Sequence, residues 1–139
     1  MNLEEKNEQL VRDFFRNLST GDLETVRPLW HPDGSWEAMV SGIPGAGIHE
    51  GRDEIIDEFL APVRGMFVPG DPKVKVTNIF GKGNMVACET HTTGKFLSGA
   101  DYNNRYCWIL EIKDGLIFRL REYMDSYYVS TLVPEDAPK

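Results

Sequence analysis

Three polar side chains, Asn104, Tyr106 and Glu122, fall within the richest strand-forming run of the chain, YNNRYCWILEIKDGLIFRLREYMD, from Tyr102 to Asp125. A carboxylate on an otherwise apolar strand face has two readings. It is a structural group hydrogen-bonded to Tyr106 and Asn104, or it is an acid whose pKa desolvation raises into the range useful for proton transfer. Charged residues are rarely buried unless something pairs with them or uses them, so Glu122 is the leading candidate for chemistry. In the catalytic reading it donates or accepts a proton while Tyr106 and Asn104 orient a carbonyl or hydroxyl.

Which face Glu122 occupies depends on the hairpin at Asp114-Gly115, a dipeptide that signals a tight turn between strand-forming runs. A two-residue turn pairs Lys113 with Leu116 and mixes Tyr106 and Trp108 with Arg119 and Arg121. A three-residue loop with Gly115 at positive φ pairs Ile112 with Leu116, Trp108 with Leu120 and Tyr106 with Glu122. The second register separates the faces and is preferred. Leu116, Phe118, Leu120, Glu122 and Met124 then share the apolar face with Asn104, Tyr106 and Trp108. The opposite face alternates Arg105, Glu111, Arg119 and Arg121 with Cys107, Ile109 and Tyr123, a mixture that suits solvent or a non-obligate dimer interface.

The elements that must position these residues belong to one domain, 1–139, since 139 residues support a single core. With 41% hydrophobic and 27% charged residues the composition is that of a soluble globular protein. A net charge of −7 without a basic cluster argues against nucleic acid or an anionic membrane as partner. The longest unbroken apolar run, Tyr106 to Leu110, is too short to span a bilayer, and the charged N-terminus MNLEEKNEQL is unlike a signal peptide; a cytoplasmic location with two free cysteines is expected.

In chain order, Asn2 and Glu5 form a capping box for an amphipathic helix with Val11, Phe14, Phe15 and Leu18 on its apolar stripe. Asp22 caps a second helix burying Leu23, Val26, Leu29 and Trp30, which His31-Pro32-Asp33-Gly34 ends as a turn. Ser35 to Val40 reads as a strand with Trp36 and Ala38 on one face. SGIPGAGIHE, residues 41–50, has no period and reads as a rim loop; a phosphate loop would need a following Gly-Lys-Ser/Thr. Asp53 to Phe67 reads as a third helix, divided near Pro62. Lys73–Phe80, Met85–Thr93 and the two hairpin strands follow, and 126–133 adds a short segment before the polar terminus. Helices first and strands last is an α+β pattern, and a curved, mainly antiparallel sheet around three N-terminal helices buries both apolar sets.

With GDL at Gly21–Leu23, LWHPD at Leu29–Asp33, GRDEI at Gly51–Ile55 and the block at Tyr102–Asp125, the chain resembles the SnoaL-like, nuclear-transport-factor-2-like superfamily over nearly its whole length. The resemblance implies a cone-shaped α+β barrel enclosing a pocket and a homodimer joined through the outer sheet face. Ketosteroid isomerases, limonene epoxide hydrolases, polyketide cyclases and a phenazine-biosynthesis enzyme share that fold, so function must be argued from the site. The isomerase's base, tyrosine and neutral acid fall at Ala38, Phe14 and Trp108, which cannot perform that mechanism. The epoxide hydrolase's water-activating acid falls at Glu122. Its Arg and second Asp fall at Thr90 and Thr92, and its Tyr and Asn at Trp36 and Ala38, so the proton relay is missing. The phenazine enzyme also carries a catalytic Glu at the place of Glu122.

A pocket lined by Trp30, Trp36, Leu60, Thr90, Thr92, Trp108 and Met124, together with Asn104, Tyr106 and Glu122, suits a small hydrophobic molecule with one or two polar handles. His91 faces outward if Thr90 and Thr92 face inward, and inward placement needs a bulge. His31, His49 and His91 are dispersed, so no metal site is expected, and nothing calls for a cofactor. Cys88 and Ser98 lack an activating base. Two functions follow: a cofactor-free acid/base enzyme of isomerase, hydratase/hydrolase or cyclase type, or a non-catalytic ligand-binding or dimerisation module.

Overall fold

A computed structural model describes residues 1–133; the polar terminus, 134–139, lies outside the described residues. Helix α1 (Leu3–Thr20) begins where the Asn2 side chain accepts the Glu5 N–H at 2.8 Å and stops at Gly21, whose φ of 83° reverses the chain. It packs against β3 (Lys73–Lys82) and β4 (Met85–Lys95) through a stripe in which Val11, Phe14 and Phe15 are buried. Complete burial of such side chains is worth about 1.5–3 kcal/mol each.

The expected second helix is replaced by two short 3₁₀ turns, Leu23–Thr25 and Arg27–Leu29. Asp22 does cap the first, accepting the Glu24 N–H, but Pro28 has no N–H with which to continue an α-helix. Trp30 therefore leaves the helix and opens strand β1 (Trp30–Ala38). His31-Pro32-Asp33-Gly34 forms an irregular bend inside that strand, where the Asp33 N–H donates to His31 Nδ1, instead of a turn that ends a helix. Gly34 is needed there, because a Cβ would lie 2.9 Å from the Trp30 ring and 3.1 Å from the Phe118 carbonyl.

Within residues 41–50, Gly47–Glu50 forms a short edge strand, β2, antiparallel to β1, where a rim loop was expected. Four residues carry too little alternation to be seen in sequence. The third helix is split as Pro62 suggested. Glu54–Leu60 is a π-helical turn in which the Ala61 N–H reaches back to Ile56, and α2 (Ala61–Arg64) follows. Pro62 cannot donate to the preceding turn, and its ring crowds the carbonyl four residues back.

Strands β5 (Asp101–Lys113) and β6 (Leu116–Met124) complete a six-stranded sheet of order β2-β1-β6-β5-β4-β3. Among the described residues only β1–β6 is parallel, and the sheet stays open at β2 and β3, so the expected barrel does not close. Helix α3 (Ser126–Leu132) follows β6. Among the described residues, no helix is long and apolar enough to cross a membrane.

The hairpin corrects the preferred register. Asp114 (φ 55°) and Gly115 (φ 74°) form a two-residue turn, and Lys113 pairs with Leu116. A bulge at Phe118 then shifts the pairing, so that Ile112 faces Ile117 while Glu111 faces Arg119, and Trp108 faces Glu122. Ile117 is fully buried, displacing Leu116 and Phe118 from the inner face. Beyond the bulge the register differs from the expected one by two residues, which preserves the faces. Leu120 and Glu122 remain inside for that reason.

Candidate functional site

The parallel pairing of β1 with β6 sets Trp36 opposite Leu120 and Ala38 opposite Glu122. Across the other edge of β6, Glu122 pairs with Trp108. Glu122 thereby lies beside Trp36 and Trp108, whose rings meet edge to face at 5.7 Å. Trp36 Nε1 donates to Glu122 Oε1 at 3.0 Å. Glu122 is 7% exposed, and burial raises its pKa to about 7 against the opposing pull of that one hydrogen bond. No ion pair with a cation offsets the burial among the described residues.

Tyr106 and Asn104, the expected partners of the carboxylate, bond elsewhere. Asn104 Oδ1 accepts the Arg105 N–H at 2.8 Å, and its Nδ2 donates to the Tyr102 hydroxyl at 3.0 Å. The Tyr102 and Tyr106 hydroxyls lie 2.5 Å apart. Either hydroxyl can donate in that pair, because the Tyr102 oxygen can accept from both Asn104 and Tyr106. Burial pushes both phenols above their usual range, so each stays protonated at neutral pH.

A cavity of about 430 Å³ runs from Glu122 toward α3 and the 61–72 segment. Its volume is in the range of small-molecule sites. Trp36, Leu60, Thr92, Tyr106, Trp108, Glu122 and Met124 line it. Trp30, Thr90 and Asn104, also expected there, do not. Trp30 is wholly buried behind Trp36, stacked on it at 5.9 Å, and Thr90 is a core hydroxyl accepting from Trp108 Nε1 at 2.8 Å. Asn104 lies under the two tyrosines.

Sequence reasoning missed Phe59, Arg64, Phe67 and Tyr102 in the wall. Tyr102 was legible, since it shares a strand face with Tyr106. Phe67 was not, because it enters through a bridge to Phe96, against which it stacks at 4.3 Å. His91 lies off the cavity, bonded to Asn103, and the Asp125 side chain caps α3 by accepting the Tyr128 N–H. Burial drives the Cys88 thiol up to about 12, which leaves it inert as a nucleophile. An open groove of about 720 Å³ beside Met39 and Tyr127 is larger, but none of the buried polar side chains lies in it. The deeper cavity beside Glu122 is the candidate site.

The SnoaL-like domain model matches residues 11–120. Among solved structures, Bal32a from a soil-derived mobile gene cassette is 22% identical with a TM-score of 0.83, over 95% of this chain and 98% of that one. TerC, co-crystallized with polyporic acid, is 19% identical with a TM-score of 0.80, over 91% and 97% of the two chains. A protein from Jannaschia sp. CCS1 assigned as a SnoaL-like polyketide cyclase is 23% identical with a TM-score of 0.79, over 100% and 97%. No curated protein gives a match. At these identities the structures speak for the fold, an NTF2-like one that includes isomerases and cyclases. The matched sequence model and the shared architecture together establish that the chain belongs to the SnoaL-like domain family.

Proposed function

We propose that the protein is a cofactor-free acid/base enzyme, of isomerase, hydratase/hydrolase or cyclase type, acting on a small hydrophobic molecule bound in the 430 Å³ cavity. One observation carries the reading: a buried carboxyl group, without a cationic partner among the described residues, at the wall of an apolar cavity and titrating near neutrality. With a pKa of about 7, both protonation states of Glu122 are populated at working pH. Trp36 fixes one oxygen, and the other is free to exchange a proton with a bound molecule. The Tyr106 hydroxyl lies in the cavity wall on the same strand face, where it can turn from Tyr102 to donate to a carbonyl or alkoxide oxygen of a bound molecule, while Asn104 fixes Tyr102.

The reaction class is tested without knowing the natural substrate. A panel of small apolar ketones in D₂O should show protein-dependent exchange of the hydrogens next to the carbonyl, read by mass spectrometry. Exchange should fall by about 10²-fold or more in Glu122→Gln. Probes that bind but exchange no faster than in buffer would leave the non-catalytic binding module as the function.

The same reading includes a homodimer through the outer sheet face, where Cys107 and Tyr123 are exposed between Arg105, Arg119 and Arg121. Sedimentation velocity should show a dimer that Tyr123→Glu weakens; a monomer in the wild type would remove this part. Cytoplasmic residence accords with two free cysteines.

A further inference from the structure

The cavity that the proposed function uses has a second polar pole. Among the described residues that line it, Glu122 is the only acid and Arg64 the only base. Arg64 ends α2, and its Nη2 donates to the Pro72 carbonyl at 3.1 Å. That is one of five N–H donors, and no carboxylate lies within ion-pair distance among the described residues. Burial lowers its pKa against the opposing pull of the Asp71 carboxylate, which stands beyond ion-pair distance, the mark of a cation held partly out of water with incomplete compensation.

A second, independent feature lies at the same end. Thr92 is 3% exposed and lines the cavity, yet its hydroxyl has no hydrogen-bond partner among the described residues. Thr92 pairs with Val74 of β3, two residues past the Pro72 that Arg64 holds, and all four residues line the same β3 end of the cavity. Buried polar groups are normally satisfied, and one left open in a cavity wall calls for a ligand atom or water. Glu122 is elsewhere. Along the sheet, Thr92 pairs with Asn104 and Glu122 with Trp108, four residues and two strands away, on the order of 15 Å at ordinary strand spacing.

We propose that Arg64 and Thr92 form an anion subsite and that the ligand is a hydrophobic carboxylic acid, its carboxylate held at this end and its reactive part extending toward Glu122. Arginine presents paired N–H donors matched to the two oxygens of a carboxylate, and the threonine O–H adds a third donor. The phenylalanines and leucines between the poles cover the apolar body. This rests on the proposed cavity function and adds its substrate class.

Titration calorimetry with 4-phenylbutanoate and its uncharged counterpart, 4-phenylbutan-1-ol, tests it, with tryptophan fluorescence reporting occupancy beside Trp36 and Trp108. The acid should bind at least about tenfold more tightly than the alcohol. Arg64→Met should weaken the acid at least about tenfold more than the alcohol, with an unchanged far-UV circular dichroism spectrum showing that the variant is folded. Arg64→Lys should retain part of the acid preference, and Thr92→Val should reduce it by about threefold. Equal binding of acid and alcohol by the wild type, or an acid preference that survives Arg64→Met, would overturn the subsite and leave the cavity function standing. Binding of neither probe would remove both.

Discussion

Two groups of carboxylates in this molecule are treated in opposite ways. At the surface, Arg27 gathers Glu24, Asp53 and Asp57 at 2.6 to 2.8 Å, tying the 3₁₀ turns to the start of the π-helical segment. Hydrogen bonding to Arg27 holds Glu24 below the usual carboxylate range, and the cluster raises Arg27 further. In the core, Glu122 receives one neutral donor and is pushed the other way, to about 7. The first arrangement favours the charged form at a small cost in desolvation and side-chain entropy. The second keeps an acid where ionisation opposes folding, and such a cost is retained where the group has work to do.

Replacing Glu122 sharpens the contrast most. Its folded pKa lies above the value of 4.5 for a solvated glutamate, so no penalty exists below about pH 4.5. As pH rises from there to about 7 the unfolded chain ionises first, and on the order of 3 kcal/mol of stability is lost, with no further change above. Glu122→Gln should therefore match the wild type in denaturant titrations near pH 4 and exceed it by up to that amount at pH 8. A variant less stable at pH 8 would mean that the ionised carboxylate is a satisfied structural partner, and the catalytic reading would go with it.

Trp36→Phe should have the next largest effect. It deletes the donor to Glu122 and part of a ring packed against Phe14, Trp30, Phe59 and Trp108. A loss of about 1–3 kcal/mol is expected. Because the Trp36 hydrogen bond lowers the Glu122 pKa, its removal should move the carboxyl titration above about 7. The protonated C=O stretch, isolated by difference against Glu122→Gln, follows that shift directly; a downward movement would mean that another donor or water takes Trp36's place.

The fold was legible where periodicity is long and capping chemistry is strong. Asn2 and Glu5 marked α1, and the alternation of β5 marked its inner face, because both signals are local. The hairpin was misread at its turn, since the register was chosen by demanding unbroken alternation, while the chain restores alternation with a bulge at Phe118. Glu122 survived because the two errors sum to an even shift. What pairs with Glu122 was beyond reach: Trp36 arrives through a parallel strand 86 positions away, and no local pattern announces that neighbour. Arg64 was equally hidden, as an arginine at the end of an exposed helix is ordinary until the 61–72 segment folds over the cavity.

The weakest predicted effect tests the other half of the comparison. Arg27→Met removes the one cation that three surface carboxylates share, so the repulsion among Glu24, Asp53 and Asp57 is left with only the longer Arg52–Asp53 pair at 3.7 Å against it. These acids stand mostly in solvent, where water screens each pair, so the change should be a fall in Tm of about 2–3 °C at low ionic strength. Salt should shrink it further, because at 1 M the screening length of about 3 Å is close to the pair distances themselves. The Glu122 titration should not move, since no atom of that cluster reaches the cavity wall. A stability loss independent of salt would show that Arg27 acts through packing of its half-buried stem, and a shifted Glu122 titration would show that surface and core are electrostatically coupled through the sheet.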